Sequence, residues 1–337
     1  MPALLPANQP PARFYKGGRQ ISTFRGDAIP FQDPCFVPED WVGSTTSCTG
    51  SHPLGLTRLP DGTLLADAVR QDPEYWLGAD HVRAFGVDTK LLVKLLDAGQ
   101  RLPVHAHPHD GWVSQHLPTQ AHGKAEAWYI LTPGEVYLGL QDDVDAATTL
   151  KQLTLEQHIH GPDGLLGRLH RLDVKPGDAV YVPPGWLHAV GQGVLLVEVQ
   201  EPADLSILLE WAGFDLDGMR DGHLGLGWDT ALTAVDCCGH SREQVAQLVV
   251  TREKRKERQT GSKSVFVEAS EEYFMMEEVY LEGNTATALV AGFSLLVVLE
   301  ESLLLGKGNT VLLAHGEGEA QLLGRGLVLV ARPPKAE

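Results

Sequence analysis

From Thr89 onward, apolar residues come in short runs punctuated by glycine, proline and polar turn residues. Lys90-Leu-Leu-Val-Lys-Leu-Leu-Asp97, Glu135–Leu140, Leu169–Val174, Ala179–Val182 and Val194–Gln200 each have strand length and turn residues at their borders, which predicts strands. Many short strands at regular spacing predict an antiparallel barrel or sandwich. The first 90 residues differ: they are rich in Pro and Gly, with Trp41–Ser44 and Pro73–Gly78 read as ordered loops or strand starts and Leu64–Gln71 as a short helix. Leu150–His160 and Trp228–Val235 are helix-compatible, and Gly161–Gly167 reads as a loop. Ser241–Arg258 carries the strongest helix signal, with Ser241 and Gln244 spaced as a capping box ahead of Val245, Leu248 and Val249. After Gly261 the strand pattern returns in Val265–Val267, Phe274–Tyr280, Ala286–Val290, Ser294–Leu299, Thr310–Leu313 and Leu327–Val330, predicting a second, smaller β-unit. Leu289–Leu305 is the closest approach to a membrane span, but Gly292, Ser294, Glu300 and Glu301 interrupt it, so it reads as a buried strand pair.

Composition narrows the function classes. The chain has 337 residues, 43% hydrophobic and 21% charged, ample for a large core and two compact units. Its formal charge of −17 disfavours nucleic acid and anionic membranes as partners. Cys35, Cys48 and the adjacent Cys237-Cys238 form no regular disulfide framework, and the N-terminus lacks a signal-peptide pattern; both point to a cytoplasmic setting. Arg252–Arg258 interleaves basic residues with glutamates at a predicted helix end and reads as a solvated terminus. Gly222–Gly227 lacks the strand–turn–helix setting of a dinucleotide loop and reads as a connector.

The chemistry concentrates in four residues. His105 and His107 are two apart on a strand-like segment and therefore share a face. Glu126 lies in another such run, with Lys124 on its face, and His188 follows a Pro183-Pro184-Gly185 turn. Three imidazoles and a carboxylate suit Zn2+ or a similar divalent ion such as Mn2+, Fe2+ or Co2+. Neutral histidine ligands imply metal release in acid. Trp112, Trp128 and Trp186 stand near these residues in sequence, as a sugar-stacking wall or as core.

Gly177-x5-Pro183-x-Gly185-x2-His188 resembles the second signature motif of the cupin barrel, and His-x-His, Glu, His occur in cupin order. More specifically, Lys90–Pro108, Gly123–Ile130, Pro183–His188 and Glu198–Gln200 are similar to type I mannose-6-phosphate isomerase, over about Thr89 to Trp211. The resemblance implies a mainly β fold: a metal-binding cupin (jelly-roll) barrel with a helical insert and a second, smaller degenerate cupin-like β-domain. The corresponding segments are residues 1–212 for the metal-bearing unit, 213–260 for a helical linker and 261–337 for a β-unit without metal. It further implies a zinc enzyme of carbohydrate metabolism that interconverts mannose 6-phosphate and fructose 6-phosphate; a monomer or homodimer is expected, which the sequence does not choose between. His107, Glu126 and His188 match metal ligands, with His105 where the family usually has glutamine; Lys124, Glu198 and Asp204 match catalytic-pocket positions.

Two further departures bear on substrate. Pro103 replaces a serine that helps hold phosphate, and Leu208 replaces an arginine four residues after the aspartate. A leucine supplies neither charge nor donor where a guanidinium fork suits anionic oxygens. The alternatives are therefore isomerisation of an unphosphorylated sugar, a non-catalytic metal- or sugar-binding cupin, and, more remotely, a metal-dependent dioxygenase.

Overall fold

The computed structural model describes residues 2–26, 35–257, 264–300 and 305–336. The described residues are mainly β, in three antiparallel sheets. A six-stranded sheet runs, neighbour to neighbour, Val249–Val250, Ala179–Val182, Glu126–Ile130, Leu195–Gln200, Leu92–Asp97 and Glu39–Val42. A five-stranded sheet runs Ile207–Leu208, His105–Ala106, His188–Val190, Gly134–Leu140 and Leu169–Val174. These two face each other as the expected jelly-roll barrel: Leu96, Trp128, Ile130, Val180, Val182 and Leu196 from one pack against Val136, Leu138 and Val190 from the other.

Both faces of the six-stranded sheet are covered, which explains why its strands read as near-continuous apolar runs rather than alternating ones. The outward set, Val93, Leu95, Ala127, Tyr129, Tyr181, Val197 and Val199, shares a core with Phe274 and with Met276, Leu295, Val297 and Leu329 of the third sheet. That sheet runs Ala3–Leu5, Thr310–Leu313, Ser294–Val298, Ala320–Arg332 and Met275–Leu289, so the N-terminal strand closes its far edge. Across the barrel, Ala106, Leu187, Ala189 and Ile207 are capped by Leu150, Leu153, Trp228, Ala231 and Leu232 from the intervening helical segments.

Several elements differ from the reading of the sequence. Pro73–Leu77 is a helix: Pro73 takes its first turn and the Asp72 side chain accepts from Tyr75 N, two start signals that outweigh the aromatic run. Arg19–Arg25 and Ala79–Phe85 are further short helices in this N-terminal region. The capping box of Ser241 and Gln244 forms, but its helix ends at Gln247. Val249 and Val250 instead pair with Val180 and Ala179, covering the sheet edge, before a separate helix Arg252–Glu257; Arg258 lies outside the described residues. Nor is Arg255 a solvated helix-end residue. It is buried, donates to Val250 O at 2.9 Å and to Glu278 at 3.1 and 3.3 Å, and lies over the Tyr129 ring, joining barrel and third sheet.

Phe274–Tyr280 and Ala286–Val290 merge into the single strand Met275–Leu289, with a register irregularity between Gly283 and Thr287. Gly283, at φ 75, supplies the left-handed residue of that bulge. Val265–Val267 contributes no strand; the contact there is an isolated bridge from Ser264 to Glu277. Within Leu289–Leu305 the strand is Ser294–Val298, and residues 301–304 lie outside the described residues. No helix among the described residues is long and apolar enough to cross a membrane.

Candidate metal centre

The barrel register brings the sequence-distant residues together. His105 and His188 are direct cross-strand partners, and Leu208 lies opposite His105 on the other side. Direct partners in an antiparallel pair share a face, so all three project inward. The turn delivering His188 depends on Gly185, whose φ of 87 favours glycine and whose N–H donates to His107 O at 2.6 Å. The ring centroids of His105, His107 and His188 are separated by 4.9, 4.0 and 4.9 Å.

Each ring is oriented by a backbone carbonyl. Nδ1 of His105 lies 2.8 Å from Pro103 O, that of His107 2.9 Å from Leu205 O, and that of His188 2.8 Å from Trp186 O. A carbonyl only accepts, so Nδ1 carries the proton and Nε2 presents a lone pair. The three ligand nitrogens lie within 4.8 Å of one another. Glu126 stands against two of them, 3.0 Å from His107 Nε2 and 3.2 Å from His188 Nε2. His188 Nε2 is buried with no hydrogen-bond partner, an arrangement whose cost a cation removes. Convergent neutral imidazoles and one carboxylate fit a divalent ion, so the buried histidine group can hold a metal.

The electrostatics keep the donors ready. Burial, aided by Lys124, depresses His107 to about 3, and burial with the neighbouring histidines holds His105 well below its ordinary value. Both stay neutral well into acid, which leaves their Nε2 lone pairs available. Burial opposes ionisation of Glu126, but Lys124 and the histidines outweigh it and keep the carboxyl well below the usual range. Lys124 Nζ donates to Glu126 Oε2 at 2.7 Å and to His107 Nε2 at 2.9 Å; Trp128 Nε1 donates to Glu126 Oε1 at 3.1 Å.

A cavity of about 700 Å³ opens over this cluster, lined by His105, Lys124, Glu198 and Asp204 among others. His107, Glu126 and His188 lie beneath its wall, each nearly fully buried. Glu198 is raised from its ordinary value by burial, which prevails over the nearby Lys94. Lys94 Nζ lies 3.2 Å from Glu198 Oε1, an ion pair without hydrogen-bond alignment, and 3.6 Å from Glu39. Asp204 is engaged elsewhere: it accepts from Arg13 Nη2 at 3.2 Å and Thr49 N at 2.9 Å. Burial works against its charge, but Arg13 and Lys94 hold it below the ordinary carboxylate value.

Sequence reasoning missed Lys94, Arg13 and Glu39, which also line the cavity. The available signal was a lysine inside the otherwise apolar Leu91–Leu96 run, where a buried cation needs a carboxylate partner. The tryptophans form no sugar-stacking wall. Trp128 is buried inside the barrel, Trp112 is buried and bonds Thr233, Trp186 stacks on His240, and none lines the cavity.

No family model matches the chain. It is 31% identical over 250 residues to mannose-6-phosphate isomerase ManA of Bacillus subtilis (strain 168), covering 69% of this chain and 72% of that protein. It is 35% identical over 212 residues to GmuF of the same organism, covering 61% of this chain but only 59% of GmuF, less than two thirds of that relative's length. Among solved structures, mannose 6-phosphate isomerase from Bacillus subtilis superposes with a TM-score of 0.69 at 22% identity, covering 98% of this chain and 99% of that one. A phosphomannose isomerase variant from Salmonella typhimurium gives 0.74 at 14% identity, covering 99% and 100%. At such identities the structural likeness concerns the fold.

Proposed function

The chain belongs to the mannose-6-phosphate isomerase family, and from that premise we propose that it is a metal-dependent aldose–ketose isomerase acting on mannose 6-phosphate and fructose 6-phosphate through a cis-enediol. The observation that carries this reading is the convergence of His105, His107, His188 and Glu126 under a cavity that Lys124 and Glu198 also face. A divalent ion, zinc in our assignment, would be held by those four residues and would polarise the sugar's C1 and C2 oxygens, offsetting enediolate charge.

The chain's own groups do the rest. Glu198 moves the proton between C1 and C2: burial raises its carboxyl from the ordinary value, which makes it a stronger proton acceptor than an exposed carboxylate. Lys124 holds Glu126 and His107 in place through its ammonium and presents a donor toward the cavity. Asp204 positions Arg13 and the Thr49 loop. The small-molecule partner is a sugar phosphate, and the setting we assign is cytoplasmic.

The test is an isomerisation assay on mannose 6-phosphate with metal-free and zinc-loaded protein, alongside Glu198→Gln. Zinc-dependent turnover that falls about 100-fold or more in the variant, with metal content retained, is expected. Turnover indifferent to metal, or a fully active variant, refutes the assignment.

A further inference from the structure

We propose that Arg220 is the phosphate-recognising residue of this pocket, supplying from a neighbouring turn the guanidinium that Leu208 lacks. The inference rests on the isomerase reading and names which residue selects the phosphorylated substrate.

The same cavity that His105, Lys124 and Glu198 line is also lined by Leu208, Arg220 and Asp221. Among the described residues, four cations line it: Arg13, Lys94, Lys124 and Arg220. Three are committed to buried carboxylates. Arg13 is held by Glu39 and Asp204, Lys94 by Glu39 and Glu198, and Lys124 by Glu126. Drawing any of them toward a phosphate would leave a buried carboxylate uncompensated, a large cost. Arg220 differs. Its side chain is 74% exposed and its partner is the adjacent Asp221, 44% exposed, so this pair is solvated and inexpensive to share.

The turn carrying Arg220 is fastened against Leu208. Leu208 N donates to Gly222 O at 2.8 Å, and Asp217 caps the short helix Gly218–Asp221 by accepting from Arg220 N. Two glycines make the approach possible by sterics alone. A Cβ on Gly218 would lie 2.1 Å from the Trp211 ring, and one on Gly222 would lie 2.6 Å from Gly218 O and 2.8 Å from Leu208 O. The segment is tied on its other side by Asp215 N donating to Phe14 O at 2.9 Å. Arg220 therefore departs from a backbone held beside the position that lost its arginine.

The guanidinium has the right donors left. Asp221 takes Nε–H and one Nη2–H, both at 2.8 Å. Of five N–H groups, those remaining on Nη1 and Nη2 form the parallel fork that fits two oxygens of a phosphate. Lysine would offer only a point charge there.

The experiment compares zinc-loaded wild type, Arg220→Ala, Arg220→Lys and the double variant Leu208→Arg/Arg220→Ala on mannose 6-phosphate and on mannose, with calorimetric binding of both sugars. The expected result is that Arg220→Ala lowers the ratio of kcat/KM for mannose 6-phosphate over mannose by about tenfold or more, through KM. Arg220→Lys should recover part of the ratio, and the double variant should restore it. Equal losses on both sugars, or a wild type that does not distinguish them, overturn the proposal. Should no sugar turn over, the isomerase reading fails separately, and the calorimetric preference for the phosphorylated sugar, with its response to Arg220→Ala, still decides the role of Arg220.

Discussion

At the residue scale the interior is organised by which charges find partners. Lys94, Glu39, Glu198, Lys124 and Glu126 are all buried, yet each has an opposite charge within 4 Å. Glu201 stands apart. It accepts from Ala125 N at 2.8 Å, His122 Nδ1 lies 4.0 Å away, and burial pushes its carboxyl up to about 7. In the unfolded chain a glutamate titrates near 4.3, so between about pH 4.3 and 7 only the folded state holds this proton. The stability contributed is full below the unfolded value and is lost as pH rises through 7. Glu201→Gln keeps the acceptor for Ala125 N and removes the titration. The variant should therefore gain on wild type as pH goes from 5 to 8, read as a growing difference in urea midpoint; a pH-independent difference rules this out. The convergence of His105, His107 and His188 was legible from spacing and residue type, because strand alternation fixes which faces His105 and His107 share. The partners of Lys94 and Arg13 were not, since Glu198 meets Lys94 through cross-strand register and Arg13 reaches Asp204 from a loop distant in sequence.

At the element scale, capping chemistry was readable and tertiary edges were not. The box of Ser241 and Gln244 formed as its spacing predicts, whereas the helix stopped early because Val249 and Val250 could satisfy the open edge of Ala179–Val182. A β-branched pair gains more from that ladder than from another helical turn. Just beyond it, Arg255 links Val250, Gly177 and Glu278, and Glu278 also accepts from Tyr129 OH at 2.6 Å. Arg255→Ala strands Glu278 in a buried site and should cost about 3 kcal/mol. Chemical denaturation monitored at equilibrium measures this, and an unchanged midpoint would show that the clamp is not energetically important.

At the scale of the whole molecule, two sheets form the barrel and a third sheet seals one of them, with the N-terminal strand reaching across to Thr310–Leu313. Because the metal-site ligands come from three separate stretches, an ion bound there links them and stabilises the folded chain by mass action. At about 1,000-fold excess over Kd, that is about 4 kcal/mol. Chelation should lower Tm by several degrees and re-addition of zinc should restore it; calorimetry showing the same Tm throughout would argue against a resident ion. By itself, the sequence determined the mainly β class, the principal barrel strands and the histidine cluster that can hold a metal. Those follow from local periodicity, turn chemistry and donor type, which are properties of neighbouring residues. Only the tertiary structure decided that Lys94 pairs with Glu39 and Glu198, that Arg255 is buried, and that Arg220 stands beside Leu208. Each of these depends on sheet register and on close backbone approach between distant segments, and neither quantity is encoded in any short window of the chain.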